Sequence, residues 1–339
     1  MSDHKEAKSF SRFGYIMVAA GAAIGLGNIW KFPYLAYGDG GGAFVLIYIV
    51  ICILLGHPIV QAEQAVGRRG RASAAASYGV IHPKWRFVGV INIVCTFLID
   101  IYYLVVSGWV LKYFVTYVVS GDFGKDKQAY FDNYISSTTQ PLIYSLIIIA
   151  IIVFFLFFGI TNIVEKASKV IMPMLAVLLL VCGIYALIVV PGAVDGLKYY
   201  FVPDFSKFGM QQFADACMQV CFSVGIGWGI FTTLGASMDK DANLKADAWW
   251  VDICDTFIAL LAGFVIIPTV VGTGSEMSSG PSLVFVAMTQ IFETLPAGRI
   301  IGIFFFASLI LRLFQHSLRF LKFRVCMYRR RRIRHIRFL

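Results

Sequence analysis

Long apolar stretches separated by short polar loops make up most of the chain. Eight of them are long enough to cross a bilayer as helices, which takes about 20 residues each. They cover residues 13–37, 42–66, 87–117, 142–160, 168–190, 213–236, 249–271 and 299–318. The pattern predicts an all-α, polytopic membrane protein in a lipid bilayer, and the mean hydropathy of +0.77 agrees with that class.

The first apolar stretch contains an unusual segment, Gly21–Pro33, which reads GAAIGLGNIWKFP and has three glycines within seven residues. Glycine weakens a helix interior, and a backbone amide freed in lipid must find an internal partner. Two interpretations follow. Either the helix is broken where it faces a ligand, or the glycines allow close helix packing, which is their commoner use in membranes.

A break in this segment would offer backbone groups to ligands. The N-terminus of the second half-helix is the positive end of its dipole and suits an anion. The amides available there are those of Gly25, Leu26 and Gly27. Oxygen atoms beside the break suit a cation. They belong to the carbonyls of Gly21, Ala23 and Ile24 and to the side chain of Asn28.

The sixth stretch repeats the pattern, because Gly225, Gly227 and Gly229 lie within five residues. Two glycine-interrupted spans in corresponding positions indicate a transporter built from inverted repeats, with its site near the bilayer midplane. The repetition favours the broken-helix interpretation of the first stretch. Two acids inside spans, Asp100 and Asp255, are costly in hydrocarbon and are therefore candidate functional residues, with an ion pair inside the bundle as the alternative.

Charge sets the orientation. Basic residues cluster in alternate loops, so the positive-inside rule places the N-terminal residues 1–12 in the cytoplasm of a multi-pass plasma-membrane protein. The net charge of +10 is local: ten of the 29 Lys and Arg lie from residue 310 onward, where no acid occurs. Such a tail can bind anionic lipid or nucleic acid, and we do not expect nucleic acid as a partner. The seven cysteines show no metal-ligand spacing, so neither a zinc site nor a disulfide framework is predicted.

Three runs together resemble the neurotransmitter:sodium symporter family, which includes bacterial leucine-transporter-like members. They are GAAIGLGNIWKFP in the first stretch, GGGAF at residues 40–44 and FSVGIGWG at residues 222–229. The resemblance covers about residues 10–309. It implies a leucine-transporter-like inverted-repeat fold with discontinuous first and sixth spans. It also implies a sodium-coupled symporter that takes up an amino acid by alternating access.

The resemblance also implies roles for single residues. Those implied to bind the substrate are Ala23, Gly25, Leu26, Gly27, Tyr103, Phe222, Ser223, Gly225 and Trp228. Those implied to bind sodium are Gly21, Ala23, Ile24, Asn28, Ser223 and Asp255, with the eighth span completing the second of two sites. Lys31 matches the basic half of an extracellular gate. No catalytic residue is implied.

Two positions narrow the expected chemistry. Monoamine-transporting relatives have an aspartate where this chain has Gly25, so the resemblance implies a substrate with its own carboxylate, an amino acid. Gly225 stands where some relatives have serine, which favours an apolar or aromatic side chain.

Chloride-coupled relatives hold the anion with serine, tyrosine, glutamine and asparagine side chains. Tyr48, Gln219 and Ser223 match that set, but Asp255 replaces the asparagine and Ala259 replaces a serine. The Asp255 carboxylate would replace chloride, so sodium coupling without chloride is predicted.

The resemblance ends at the segment that follows Leu309. Arginines stand where an apolar span should continue, as in translation of a shifted reading frame, with a polybasic lipid-binding tail as the alternative. The predicted organisation is a first five-span repeat at 13–190, a partial second repeat at 191–309 and a basic tail at 310–339. We expect the chain as written to be an inactive fragment. The competing classes are a non-transporting membrane scaffold or pseudogene product and an intramembrane enzyme.

Overall fold

Helices form the regular structure of the described part of the chain. A computed structural model describes residues 12–158, 161–239, 241–274, 280–295, 297–311 and 313. Within those ranges the one β contact is an isolated bridge between Gly41 and Pro203. The all-α class predicted from the sequence is confirmed.

The first predicted span is broken. Helix α1 (Arg12–Ala23) ends just before Gly25, and a π-helical turn (Gly27–Lys31) leads into α2 (Phe32–Gly38). The residue before the π-helical turn, Leu26, has ordinary right-handed dihedral angles. The backbone of this break thus needs no unusual conformation, and Gly27 instead lets a neighbouring span approach closely. A Cβ added to Gly27 would lie 2.7 Å from the ring of Phe222.

The next four spans follow in order. Their helices are α3 (Gly42–Ile51), α4 (His57–Gly70), α5 (Ala74–Ile81), α6 (Arg86–Val119), α7 (Lys127–Ser136), α8 (Thr139–Phe157) and α9 (Thr161–Val189). A π-helical turn, Cys52–Gly56, joins α3 to α4, and Pro58 stands in the first turn of α4. Because the helix runs through this turn without a break, Pro58 removes one backbone donor from its interior. Helix α8 exposes Leu142, Ile143 and Leu146, which suits a helix that faces lipid.

The sixth span is broken in a different way. After the short helix α10 (Ala193–Phe201), helix α11 (Met210–Val224) stops at Gly225, and α12 (Ile230–Gly235) resumes after Gly229. The φ angles are +80° at Gly225, +81° at Gly227 and +70° at Gly229. Only glycine adopts these left-handed conformations without steric cost. The glycines therefore determine the backbone of this break directly.

The rest of the described chain packs around α13 (Leu244–Thr273). A π-helical turn (Leu283–Ala287) leads into α14 (Met288–Thr294), and a further helix, α15 (Gly298–Leu311), begins the eighth span. Helix α13 contacts α1, α2, α4, α9, α10 and α11. It carries three buried acids, Asp247 in its first turn and Asp252 and Asp255 further along.

By length and composition alone, three helices in the described residues qualify as membrane spans: Gly42–Gly70, Pro83–Val119 and Leu244–Thr273. A fourth candidate is the pair Lys127–Ser136 and Thr139–Phe155, bent by 78°. The first and sixth predicted spans fail this test because each is cut into halves that are too short. The count of eight spans therefore remains a prediction from the sequence.

Candidate functional site

Three buried polar side chains meet beside the break in the first span. The Asn28 amide nitrogen donates to the Ser223 hydroxyl at 2.9 Å and to Asp255 Oδ1 at 2.8 Å. Ser223 in turn donates to Asp255 Oδ2 at 2.7 Å. Asn28 and Asp255 have no exposed surface, and Ser223 is 3% exposed. Helices α11 and α13 and the π-helical turn after Gly25 thus bring together three residues that the sequence assigned to a sodium site.

The residues that match a chloride site surround this cluster. The Tyr48 hydroxyl lies 3.5 Å from the Ser223 hydroxyl, and the Gln219 amide donates to the Gly27 carbonyl at 3.1 Å. The side-chain oxygen of Gln219 is buried without a hydrogen-bond partner. Ala259, which replaces a serine of chloride-coupled relatives, is fully buried. The carboxylate of Asp255 therefore takes the central position of this polar group.

A cavity opens next to the cluster. The break in the first span supplies one wall, α6 and the sixth span supply the others, and two leucines of the eighth span close it. The lining residues are Gly21, Ala23, Ile24, Gly25, Leu26, Gly27, Ile29, Tyr103, Phe222, Ser223, Trp228, Leu309 and Leu313. The cavity is mostly apolar with backbone groups and a few hydroxyls, as is usual for small-molecule sites.

The structure differs from the expected amide arrangement at one point. The backbone amide of Gly25 donates to the Asn28 side-chain oxygen at 2.8 Å. One of the three amides proposed for an anion is therefore already engaged inside the protein. A Cβ added to Gly25 would lie 3.1 Å from the Tyr103 hydroxyl, which shows how closely that hydroxyl approaches the break.

The aromatic residues of the sixth span occupy the expected wall, but Gly225 does not line the cavity. A Cβ on Gly225 would lie 3.5 Å from the Trp228 ring, so this glycine lies behind the indole. Trp228 and Phe222 pack edge to face with ring centroids 5.5 Å apart. The ammonium of Lys31 lies 4.5 Å from the centroid of the Phe222 ring, an arrangement that favours a cation over an aromatic face.

Sequence reasoning missed the residues that hold the unwound loop of the sixth span. Glu63, near the end of the second predicted span, is 5% exposed and accepts from the Gly227 amide at 2.7 Å. The Thr96 hydroxyl donates to the Trp228 carbonyl. The Asn92 amide nitrogen, in the orientation that satisfies both ends of the amide, donates to the Gly227 carbonyl at 2.9 Å. These partners replace the helical hydrogen bonds lost at the break.

A second buried pair was also missed. The structure buries His57 at the start of α4, where its Nδ1 lies 2.9 Å from Asp252 Oδ2. Asp252 lies one helical turn before Asp255. Asp100, the other candidate acid, is buried on α6 but does not line the cavity. Two features of the sequence could have indicated this pair: the apolar residues around Asp252 and the Gly-His-Pro run at residues 56–58.

Comparison with known proteins decides the family. The model of the sodium:neurotransmitter symporter family matches residues 7–121 and 131–326. The chain belongs to the sodium:neurotransmitter symporter family. The match extends to residue 326, beyond Leu309, where we expected the resemblance to end.

Similar proteins agree with this membership. An uncharacterized sodium-dependent transporter of Haemophilus influenzae is 34% identical over 316 residues, which are 89% of this chain and 69% of that protein. A sodium- and chloride-dependent creatine transporter of Mus musculus is 27% identical, covering 88% of this chain and 55% of that protein. Among solved structures, MhsT in complex with L-phenylalanine is similar in both sequence and fold. Its sequence is 33% identical, and the structures superpose with a TM-score of 0.88 over 96% of this chain and 75% of the MhsT chain.

Membership settles the broad class. The sodium:neurotransmitter symporter family consists of transporters, so the intramembrane-enzyme alternative is excluded. Its apolar helices make the chain a multi-pass membrane protein, and the likeness to MhsT confirms the leucine-transporter-like fold.

Proposed function

We propose that this protein is a sodium-coupled symporter that carries an apolar or aromatic amino acid by alternating access. The observation that carries the proposal is the buried Asn28–Ser223–Asp255 cluster beside the cavity at the first helix break. An intramembrane carboxylate is expensive unless it is paired. Asp255, Ser223 and nearby carbonyl oxygens supply the negative charge and the oxygen ligands that a sodium ion needs.

The Asn28 amide indicates how a sodium ion would enter. Its nitrogen now points at Ser223 and Asp255, and its oxygen accepts from the Gly25 amide. On sodium binding we expect the amide to turn its oxygen toward the ion. The turn would release the Gly25 amide to the cavity, where it joins those of Leu26 and Gly27 as donors for a substrate carboxylate. Sodium and amino acid would thus bind cooperatively.

The cavity walls support the substrate class. Ile29, Phe222 and Trp228 supply apolar surface, and the Tyr103 hydroxyl lies close to the backbone of Gly25. With glycine at position 25, the pocket has no acid there to replace a missing substrate carboxylate. The likeness to MhsT with bound L-phenylalanine supports the same class. The carbonyls of Gly21 and Ile24, which also line the cavity, remain the proposed part of a second sodium site.

Binding of tritiated L-phenylalanine to the purified chain tests the proposal. Sodium should strengthen binding by about tenfold or more over N-methylglucamine, and phenethylamine should fail to compete because it lacks the carboxylate. With gluconate as the only anion, Asp255→Asn should lose the sodium effect, whereas Asp132→Asn, which removes an exposed acid of α7, should keep it. Equal competition by phenethylamine, or sodium-independent binding, would show the proposal to be wrong.

We further propose that coupling is independent of chloride. The fixed Asp255 carboxylate accepts from Ser223 and lies beside Asn28, so a chloride ion at a few ångströms would be repelled in a medium of low dielectric. The creatine relative is named as sodium- and chloride-dependent, so the family includes chloride-coupled members. Replacing chloride by gluconate should leave L-phenylalanine binding unchanged, and Asp255→Asn should introduce chloride dependence. A chloride requirement in the unsubstituted protein would contradict this assignment.

The expectation that the chain as written is inactive stays a prediction. The alternative class, a non-transporting membrane scaffold, is separated from a transporter by the same binding experiment followed by sodium-driven uptake in proteoliposomes.

A further inference from the structure

A histidine and an aspartate form a buried pair outside the proposed sodium and substrate sites. His57 Nδ1 and Asp252 Oδ2 are 2.9 Å apart, with side chains 8% and 6% exposed. The His57 ring stacks on Trp249 with centroids 4.2 Å apart. The other imidazole nitrogen of His57 and the other carboxylate oxygen of Asp252 are buried without hydrogen-bond partners. The pair is thus enclosed, and the hydrogen bond between His57 and Asp252 is the polar contact that these two side chains make.

The position of the pair along α13 links the cytoplasmic end to the sodium cluster. Lys245, Trp249, Asp252 and Asp255 follow at spacings of four, three and three residues, so they lie along one face of the helix. Lys245 is exposed in the first turn of α13. The loop that precedes this turn is one that the positive-inside rule assigns to the cytoplasm. The His57–Asp252 pair therefore lies between that end of the helix and Asp255.

The charged and titratable groups that face the pair are few. Lys245 and Asp255 act on it from α13 itself, and the thiol of Cys52 faces it from the π-helical turn before α4. If both members of the pair lost the shared proton, Asp252 and Asp255 would be two negative charges one helical turn apart away from water, which is costly. A proton on the pair removes one charge, and a cation at Asp255 compensates the other.

We propose that the His57–Asp252 pair is a proton-binding site that exchanges with the cytoplasm and competes with sodium at Asp255. The proton is shared between the imidazole and the carboxylate, and it leaves when sodium neutralises Asp255. Linkage requires the reverse effect as well, so protonation of the pair weakens sodium binding by the same factor. The proposal rests on the proposed sodium site for its coupling, but proton binding by the pair stands on its own geometry.

Two measurements on the full chain in detergent test the proposal. In the first, binding of ²²Na⁺ is compared at about pH 6 and about pH 8, the range in which histidine changes charge. The unsubstituted protein should bind sodium at least about fivefold more weakly at the lower pH. His57→Gln keeps a donor for Asp252 but cannot be charged, and it should lose most of this difference, as should Asp252→Asn. The exposed His82→Asn is the matched control and should keep it.

The second measurement follows the imidazole ¹⁵N shifts of the labelled, unsubstituted protein, with the His57 signal assigned by its loss in His57→Gln. The His57 signal should change protonation once with pH, its midpoint should move in Asp252→Asn, and sodium should shift the wild-type midpoint toward lower pH. A His57 ring that does not titrate overturns the proton site. If His57→Gln and Asp252→Asn keep the full pH dependence of sodium binding, that dependence arises at Asp255 itself, and the proposed competition between the pair's proton and sodium is wrong. Failure of ²²Na⁺ to bind at either pH refutes the proposed sodium site instead, and the imidazole shifts then decide the proton site alone.

Discussion

Gly27 and Gly225 each interrupt a helix, for different physical reasons. At Gly225 the backbone is left-handed, with φ at +80°, so any side chain would strain it. At Gly27 the missing side chain admits the Phe222 ring, which would lie 2.7 Å from a Cβ. Gly225 permits a left-handed backbone, and Gly27 permits a close contact between the two broken spans. Substitutions at the two positions therefore act on different properties.

Gly27→Ala should weaken amino-acid binding more than it destabilises the fold. The added methyl group displaces the Phe222 ring, which lines the cavity, and overpacking of this kind costs about 1–3 kcal/mol. Binding of L-phenylalanine measured by scintillation proximity should weaken correspondingly. Gly38→Ala is the matched control in the same span, because nothing lies within 4 Å of its added Cβ. Equal effects of the two substitutions would contradict the role assigned to Gly27.

Asp39 gives the protein a pH-dependent weakness in the turn between the first two spans. Burial, reinforced by nearby Asp215, raises the pKa of its carboxyl to about 6, and one carboxylate oxygen is buried without a partner. Because the pKa in the folded state exceeds that of an unfolded aspartate, the folded state favours the protonated form. The fold therefore loses stability as pH rises from the pKa of an unfolded aspartate to the folded-state pKa of about 6, and the loss persists at higher pH.

Asp39→Asn should raise the melting temperature at about pH 8 and leave it nearly unchanged at about pH 3, below the pKa of the carboxyl in both the folded and the unfolded state. Differential scanning fluorimetry at the two pH values measures the effect. Asp132→Asn, which removes an exposed acid, is the control and should show no comparable difference. A gain for Asp39→Asn that is equal at both pH values would contradict this origin.

The unwound part of the sixth span is stabilised by neighbouring elements. Between α11 and α12 the carbonyls of Gly227 and Trp228 and the amide of Gly227 have no helical partners. Glu63 of α4 and Asn92 and Thr96 of α6 supply those hydrogen bonds. A broken helix in a membrane is stable only when its freed groups are satisfied in this way. The shape of the cavity wall at Trp228 therefore depends on side chains of α4 and α6 that do not themselves line the cavity.

Thr96→Val should weaken L-phenylalanine binding although Thr96 does not line the cavity. The substitution leaves the Trp228 carbonyl buried without its donor, which costs about 1–3 kcal/mol, and the indole should lose its fixed position. Thr269→Val is the matched control, because that hydroxyl donates to the Val265 carbonyl of its own helix. Binding affinity and tryptophan fluorescence should change in the first variant and not in the second. Unchanged fluorescence with full affinity in Thr96→Val would refute this link between the elements.

The whole molecule shows what the sequence could and could not predict. Helical class, both breaks and the gathering of Asn28, Ser223 and Asp255 were predictable, since apolar length, clustered glycines and costly intramembrane residues are local or motif-borne signals. The His57–Asp252 contact joins positions 195 residues apart, and no periodicity specifies such a partner. Glu63 was missed for the same reason, because its acceptor role depends on a loop 164 residues away.

Contacts on the side that the positive-inside rule predicts to be extracellular join the two predicted repeats. Lys127 of α7 is 7% exposed, donates to the Gly124 carbonyl and lies 2.6 Å from Glu293 of α14. Arg299 donates to carbonyls at the end of α6, including those of Tyr117 and Val118. The partners come from the ranges 13–190 and 191–309. These contacts therefore connect parts of the chain that must keep a fixed relation around the cavity.

Lys127→Met should lower the free energy of unfolding by about 1.5–3 kcal/mol, the usual contribution of a hydrogen bond to a charged group. The change removes the hydrogen bond from the buried ammonium to the Gly124 carbonyl and an ion pair with Glu293, which is itself 63% exposed, so thermal unfolding should begin at a lower temperature. Lys198→Met is the matched control: its pair with Asp195 lies within one helix, at 3.3 Å and with both side chains largely exposed. Exposed pairs of that kind contribute about 0.2–1 kcal/mol. Equal melting temperatures for the two variants would mean that the Lys127 pair adds no more than an ordinary surface pair, and that the repeats are held together by apolar packing alone.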